Sequence, residues 1–402
     1  MCGIVAVMKA QGSGGCRAAP PRRTLRTRDA LTGDIGPRPR ALGLGVACLL
    51  VLAVTAGCTD DDQSGAGGSP TQQPQQSTPA SAAPEPVVAR LDSPTERARL
   101  RPIPQQFPAS LDGMPAYVPQ RSHQALLAYR PYESPSDGSG WASEEIGIYS
   151  RDGKWARLDL STLGIDESLW PGVDTIGPGA LDSGGRWLAL SASDGVVVVD
   201  LLTGEVQNLL GSSGPVAGVR WHPSSTRLTA NVLNGRDMTV DVSSGVAEPS
   251  PVPMLNLGFL PDGRVCSVRQ TPDGASLREY GDGGALLSTR SLGFKYPGGE
   301  LIRAWSAGSQ LAFVSLDNGN RGVEMPSFDL VAGEVTGVLR WSARAGVWVE
   351  VEGWWDENRL LVSMDRWLVA WNPSDGSVQQ VARLPRSDRQ GRHGSVGVSF
   401  AL

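Results

Sequence analysis

From Gln124 to the C-terminus the chain alternates short apolar runs with turns rich in Gly, Asp, Ser and Pro. One kind of run opens on an Arg-Leu-like pair, at Arg186-Trp187-Leu188, Arg227-Leu228, Arg264-Val265, Gln310-Leu311 and Arg359-Leu360. Leu126-Leu127-Ala128-Tyr129 is a sixth copy without the arginine. Each copy is followed by a second run and then by a tight turn ending in glycine. These glycines are Gly153, Gly204, Gly245, Gly284, Gly333 and Gly376, spaced 51, 41, 39, 49 and 43 residues apart. Glycine suits such turns because it reaches positive φ without a Cβ clash. A third kind of run precedes the first. It is clearest at Gly218-Val219-Arg220-Trp221-His222-Pro223 and Leu257-Gly258-Phe259-Leu260-Pro261, and looser around Trp305 and Trp354. Val196-Val197-Val198-Val199 reads as a buried strand, since four β-branched residues favour the pleated state over a helix.

Four strands in a unit of about 40–50 residues is the period of a β-propeller blade. The pattern therefore predicts an all-β protein, a propeller of six blades, or of seven if residues 102–122 contribute one. The first unit has strands at 124–130, 145–149 and 154–158 but no innermost strand. Val396–Leu402 reads like the missing strand, so it is expected to pair with Gln124–Arg130 and close the ring, which removes an open sheet edge. The motif Trp221-His222-Pro223, Arg227-Leu228, Val240-Asp241-Val242 and Ser244-Gly245 resembles bacterial WD40-like and TolB-like propellers, and the resemblance covers about residues 120–402. No Trp-Asp dipeptide closes the blades. With 50 Gly and 30 Pro, a fold built mainly of long helices is excluded.

The first hundred residues follow other rules. Ala41–Ala56 is an apolar run of 16 residues, too short for a comfortable membrane span of about 20. Arg38 and Arg40 precede it, and small residues lead out of it to Cys58, an arrangement that describes a secretory signal. Val54-Thr55-Ala56-Gly57-Cys58 resembles a bacterial lipobox, which implies cleavage before Cys58 and a lipid on its thiol. Residues 1–57 are thus expected to be a signal peptide with an over-extended start. Residues 58–100 are expected to be a disordered tether, because Thr59–Glu85 holds no large apolar residue to offset chain entropy. The 42 residues from Thr59 to Leu100 would reach roughly 35–40 Å root-mean-square. Residues 101–402 form the propeller. Loss of residues 1–57 leaves 28 basic and 39 acidic residues, a net charge of −11. Such a head is not drawn to nucleic acid or to anionic lipid. Cys266 then stands alone, so no internal disulfide is expected.

Candidate chemistry is sparse. No Gly-x-Ser-x-Gly, Walker loop, His-Glu-x-x-His or Cys-x-x-Cys occurs, so no catalytic residue, metal site or cofactor is assigned. His222 reads as structural, His123 and His393 as solvated, and Asp317-Asn318-Gly319-Asn320 as a hairpin tip. Six of the 12 tryptophans lie between Trp341 and Trp371. Trp221, Trp305 and Trp354 share the innermost-strand position and are expected to pack blade against blade. Trp348, Trp355 and Trp367 are less regular and are the candidate ligand-contacting aromatics, able to stack on sugar or peptide. The sequence thus points to an exported, lipid-anchored, non-catalytic binding or scaffold protein on the extracytoplasmic face of the cell membrane, with a monomeric head and an envelope protein or glycan as partner. The alternative is a glycan-active hydrolase or lyase.

Overall fold

Six glycines outline the architecture. In the computed structural model, φ at Gly153, Gly204, Gly245, Gly284, Gly333 and Gly376 lies between +70° and +86°, the left-handed region that a Cβ penalises. The structure describes residues 85–91, 96–119, 124–131, 145–165, 176–211, 214–271, 273–292, 299–317, 323–341, 349–364, 367–385 and 397–402. Four of the six glycines share one turn. Gly204, Gly245, Gly333 and Gly376 donate to the carbonyl four residues back, on Asp200, Asp241, Asp329 and Asn372, at 2.7–2.9 Å. The side chain of that residue caps the same turn. Asp200 accepts from Leu202 N–H at 2.8 Å, Asp241 from Ser244 at 2.9 Å, Asp329 from Val331 at 2.7 Å and Asn372 from Ser374 at 3.0 Å. This is a local hydrogen bond that Asp and Asn supply readily.

In three of the units the residue that opens the run, Arg186, Arg227 or Gln310, stands opposite this turn, whereas Arg264 and Arg359 pair with Glu279 and Asp356. Arg186 spans the sheet to the buried Asp200 carboxylate at 2.6 Å. Arg227 is the cross-strand register partner of Asp241, and Gln310 donates to Asp329 at 3.2 Å. Burial alone would raise the Asp200 carboxyl, but hydrogen bonds from Arg186 and Leu202 and the arginine charge hold it below the usual carboxylate range.

The strands form six sheets, one per blade. From the axis outward, blade 1 holds Gly397–Phe400, Ala125–Arg130, Glu145–Ser150 and Trp155–Asp159. Blade 2 holds Trp187–Ala192, Gly195–Asp200 and Val206–Leu209, its innermost position reduced to a bridge from Leu181 to Leu188. Blade 3 holds Val216–Trp221, Arg227–Val232, Met238–Asp241 and Ala247–Pro249. Blade 4 holds Gly258–Phe259, Val265–Thr271, Gly274–Tyr280 and Leu286–Ser291. Blade 5 holds Gly299–Ala307, Gln310–Asp317, Val323–Asp329 and Glu334–Trp341. Blade 6 holds Val349–Asp356, Arg359–Met364, Trp367–Trp371 and Val378–Arg383. All these pairings are antiparallel, and the helical content among the described residues is two short 3-10 turns.

Ring closure follows the expected register. Gly397 pairs with Arg130, Val398 with Tyr129, Ser399 with Ala128 and Phe400 with Leu127. Val398 and Phe400 enter the core beside blade 6, while the small alternate residues face the chain entering blade 2. There Ser399 Oγ accepts from Leu181 N–H at 2.9 Å, and a Cβ on Gly397 would stand 2.8 Å from the Ile176 carbonyl oxygen.

Two expectations are corrected. Residues 102–119 add no seventh blade, and of the segment read as tether up to Leu100, residues 85–91 and 96–100 are described and pair with the ring. From Glu85 to Pro119 the described chain forms a strap over the outer edges of the ring. Val87–Arg90 adds a parallel fifth strand to blade 5, in register with Gly337–Arg340. Glu96–Arg97 does the same on blade 6, against Gln379 and Gln380. Gln106 bridges to Arg383 of blade 6 and Ala116 to Arg157 of blade 1. Tyr117 then donates its hydroxyl to Leu201 of blade 2 at 2.7 Å. The physical reason is apolar payload. Leu91 is buried at the seam of blades 5 and 6, and Leu100, Ile103, Phe107 and Leu111 at the seam of blades 6 and 1. These side chains supply the burial that a polar tether lacks.

Phe107 is the centre of that seal. It is 1% exposed and meets Tyr129 and Trp155 edge to face, with ring centroids 5.3 and 5.8 Å away. Phe107→Ala is expected to cost about 3–5 kcal/mol in urea denaturation. Val118→Ala, at a strap position 58% exposed, should stay within about 0.5 kcal/mol of the parent. Equal small losses at both positions would mean that the strap is only draped on the ring.

Candidate functional site

The inner strands are stitched to one another by side chains reaching to neighbouring blades. Trp221 Nε1 donates to Ala180 O at 2.9 Å, from blade 3 to the chain of blade 2. Trp354 Nε1 donates to Trp305 O at 3.0 Å, from blade 6 to blade 5. Ser306 Oγ donates to the Phe259 carbonyl, from blade 5 to blade 4. The packing role expected of Trp221, Trp305 and Trp354 is thus met, and each indole is buried.

These residues also enclose a cavity of about 330 Å³ on the axis, lined by the chain of all six blades. Trp221, Phe259, Trp305 and Trp354 form its aromatic wall, with Phe400 and Leu402 from the closing strand. Arg220, His222 and Glu352 break that wall, beside the hydroxyls of Ser183 and Ser306.

Arg220 is held from several sides. Its terminal nitrogens donate to the carbonyls of Leu257 and Ala304, on blades 4 and 5. Its guanidinium stands 5.3 Å from the ring centroids of both Phe259 and Trp305, close enough for cation–π attraction. Gly179 leaves it room, since a Cβ there would meet Arg220 Cγ at 2.8 Å. Glu352 is 5% exposed, and Ser363 Oγ donates to its Oε1 at 2.7 Å. Both charged groups are thereby fixed before any ligand arrives, as a binding site requires.

His222 is structural, as the sequence suggested. Its Nε2 is 3.0 Å from Thr229 Oγ1, and its ring tilts against Phe259 with centroids 4.5 Å apart. Burial, followed by the charges of Arg227 and Arg220, lowers its pKa from 6.5 to about 4. It is therefore neutral above pH 5.

Two of the sequence-predicted aromatics, Trp355 and Trp367, lie elsewhere. Trp355 follows the wall residue Trp354, and the alternation of the strand turns it toward the core under the strap. Trp367 packs at the seam of blades 5 and 6, its ring 5.9 Å from the Arg383 guanidinium. Neither lines the cavity. Trp348, Cys58, His123, His393 and Asn318–Asn320 lie outside the described residues. Arg220 and Glu352 were missed in the sequence. The available signal was a charged residue inside an otherwise apolar inner run, Val-Arg-Trp and Val-Glu-Gly-Trp, where burial is costly unless the charge serves a purpose.

The fold is that of a six-bladed β-propeller, WD40-like in its four-stranded antiparallel blades and in its C-terminal closure. No family model matches the chain, and no curated protein does. Among solved structures, the β-propeller domain of Myceliophteria thermophila Cps50 (Swd1) is similar at 15% identity and TM-score 0.39, over 61% of this chain and 85% of that one. A chain of the mitotic checkpoint complex is similar at 13% identity and TM-score 0.41, over 72% and 86%. Oligogalacturonate lyase in complex with manganese is similar at 18% and 0.41, over 69% and 87%. Likenesses of this degree concern the fold alone.

The neutral His222 carries a testable sign. Its native pKa is depressed, so as pH falls below 6.5 the unfolded chain takes up a proton that the folded chain refuses until about pH 4. Stability present above pH 6.5 is lost across that window, by about 3 kcal/mol at its lower end. Urea midpoints at pH 7 and pH 4 should therefore fall further for the parent than for His222→Gln. Equal falls would place a charged imidazole in the native state.

Proposed function

We propose that the protein is an exported, lipid-anchored β-propeller that acts as a non-catalytic binding or scaffold protein at the cell envelope, with the axial cavity as its binding site. The observation that carries the binding part is the cavity itself. All six blades converge on it, its walls are aromatic, and its two charged side chains are held in place, Arg220 by neighbouring blades and Glu352 by Ser363 of its own. Small-molecule and peptide sites have this composition, mostly apolar with a few fixed polar groups. Function on a propeller is a property of such a site and not of the ring. A glycan-cleaving enzyme would normally need two carboxylates about 5–10 Å apart. Glu352 is the one carboxylate among the described residues of the wall, which favours binding over hydrolysis.

The envelope part rests on the apolar run before Cys58, the lipobox-like exit, and the position of the strap. Between Cys58 and Glu85 there are 26 residues. Even fully extended they span at most about 90 Å, so the lipid would hold the head close to its membrane. A diacylated or triacylated cysteine supplies the two or more chains that stable anchoring needs.

Cell fractionation tests this reading. The parent chain is expected with the membranes and carrying lipid mass, and Cys58→Ser in the soluble extracytoplasmic fraction. A Cys58→Ser chain that stays with the membranes, beside a parent chain without lipid, would overturn the anchor.

A further inference from the structure

We propose that the axial cavity takes a neutral saccharide, one ring stacked on the aromatic wall of Trp305 and Trp354 and its hydroxyls shared between Arg220 and Glu352. This rests on the reading of the cavity as a binding site and adds the class of ligand.

The first consideration is charge. Arg220 and Glu352 face one cavity and cancel. His222, the other titratable group of the wall, adds no charge in the neutral range. With one charge of each sign in a small wall, an ion of either sign gains an opposite charge only beside a like one, and the site gives it no net attraction. A neutral ligand needs no such attraction. Hydroxyl groups both donate and accept, so one ligand can accept from a guanidinium and donate to a carboxylate.

The second is shape. Trp305 and Trp354 sit on adjacent inner strands and are locked by the Trp354 indole bond to Trp305 O. Phe259 continues the wall on blade 4. A sugar ring has one apolar C–H face and a polar rim. An indole platform beside fixed polar groups matches those two surfaces, and aromatic contact of this kind gives large area at small entropy cost. The volume, about 330 Å³, is at the lower end for small-ligand sites, which suits a short saccharide or one end of a glycan.

The third is fixation. Arg220 is held by the carbonyls of Leu257 and Ala304 and by two aromatic rings, and Glu352 by Ser363. Little side-chain freedom remains to be lost on binding, which favours recognition of a weakly interacting neutral ligand.

The test uses the full chain purified from cells. Its tryptophan fluorescence and heat of binding are followed against neutral gluco-, manno-, galacto- and N-acetylglucosamine oligosaccharides, with oligogalacturonate as acidic probe and polyarginine as cationic probe. At least one neutral oligosaccharide is expected to bind and to change the fluorescence. Glu352→Gln keeps the shape of the wall and should weaken that binding roughly tenfold or more, as should Arg220→Lys. Circular dichroism and the urea midpoint identify which variants remain folded, and Trp305→Phe is the second folded probe of the platform. Binding confined to the acidic or the cationic probe, or no binding at all, overturns the proposal. So does neutral saccharide binding of equal strength in folded Glu352→Gln, Arg220→Lys and Trp305→Phe, which would put the site elsewhere. Cleavage of a bound saccharide leaves this inference standing and overturns the non-catalytic reading instead.

Discussion

A ring of sheets is only as stable as its last seam. Every blade of this protein packs on two neighbours, so the contact between blade 6 and blade 1 must be made by parts of the chain that are far apart in sequence. Two devices make it. The C-terminal strand pairs with Ala125–Arg130 on the inside. The strap buries Leu100, Ile103, Phe107 and Leu111 over the same seam on the outside. Opening it would expose buried aromatics and a row of unpaired backbone groups at once. The axial cavity depends on this closure, because Phe400 and Leu402 of the closing strand are part of its wall.

Most of the ring was legible in the sequence because a blade is a local structure. Strand, turn, strand and Gly turn recur within one unit, and the six turn glycines keep their left-handed φ wherever the pattern placed them. The Asp or Asn that caps four of these turns was visible as well, in Asp200, Asp241, Asp329 and Asn372, but its cross-strand partner emerges only in the structure, where Arg186 reaches Asp200 and Gln310 reaches Asp329. The closing strand was legible through its alternation of large and small residues.

The strap was not legible, for a physical reason. Val87–Arg90 and Glu96–Arg97 are short, and their partners are more than 240 residues away. Five prolines between Pro102 and Pro119 erase any period, so the run resembles a linker. What distinguishes it from the tether before it is only the presence of Leu91, Leu100, Ile103, Phe107 and Leu111. The aromatic lining of the axial cavity was not legible for a related reason. Regular tryptophans read as packing and irregular ones as free, whereas on an inner strand the same indole can stitch two blades and face the axis. Trp305 and Trp354 do both. Trp355 and Trp367, less regular in sequence, ended in seams.

The central claim is that both ends of the described chain hold the ring shut as one cooperative unit. Native-state hydrogen exchange measures this directly. The amide of Ala401, which donates to Leu126 O beside the closing strand, and that of Leu91 in the strap, which donates to Arg340 O, should exchange only with the slowest strands of the blades, at the free energy of global unfolding. Exchange of these amides at far lower free energy, while the central strands of blades 3 and 4 stay protected, would contradict it.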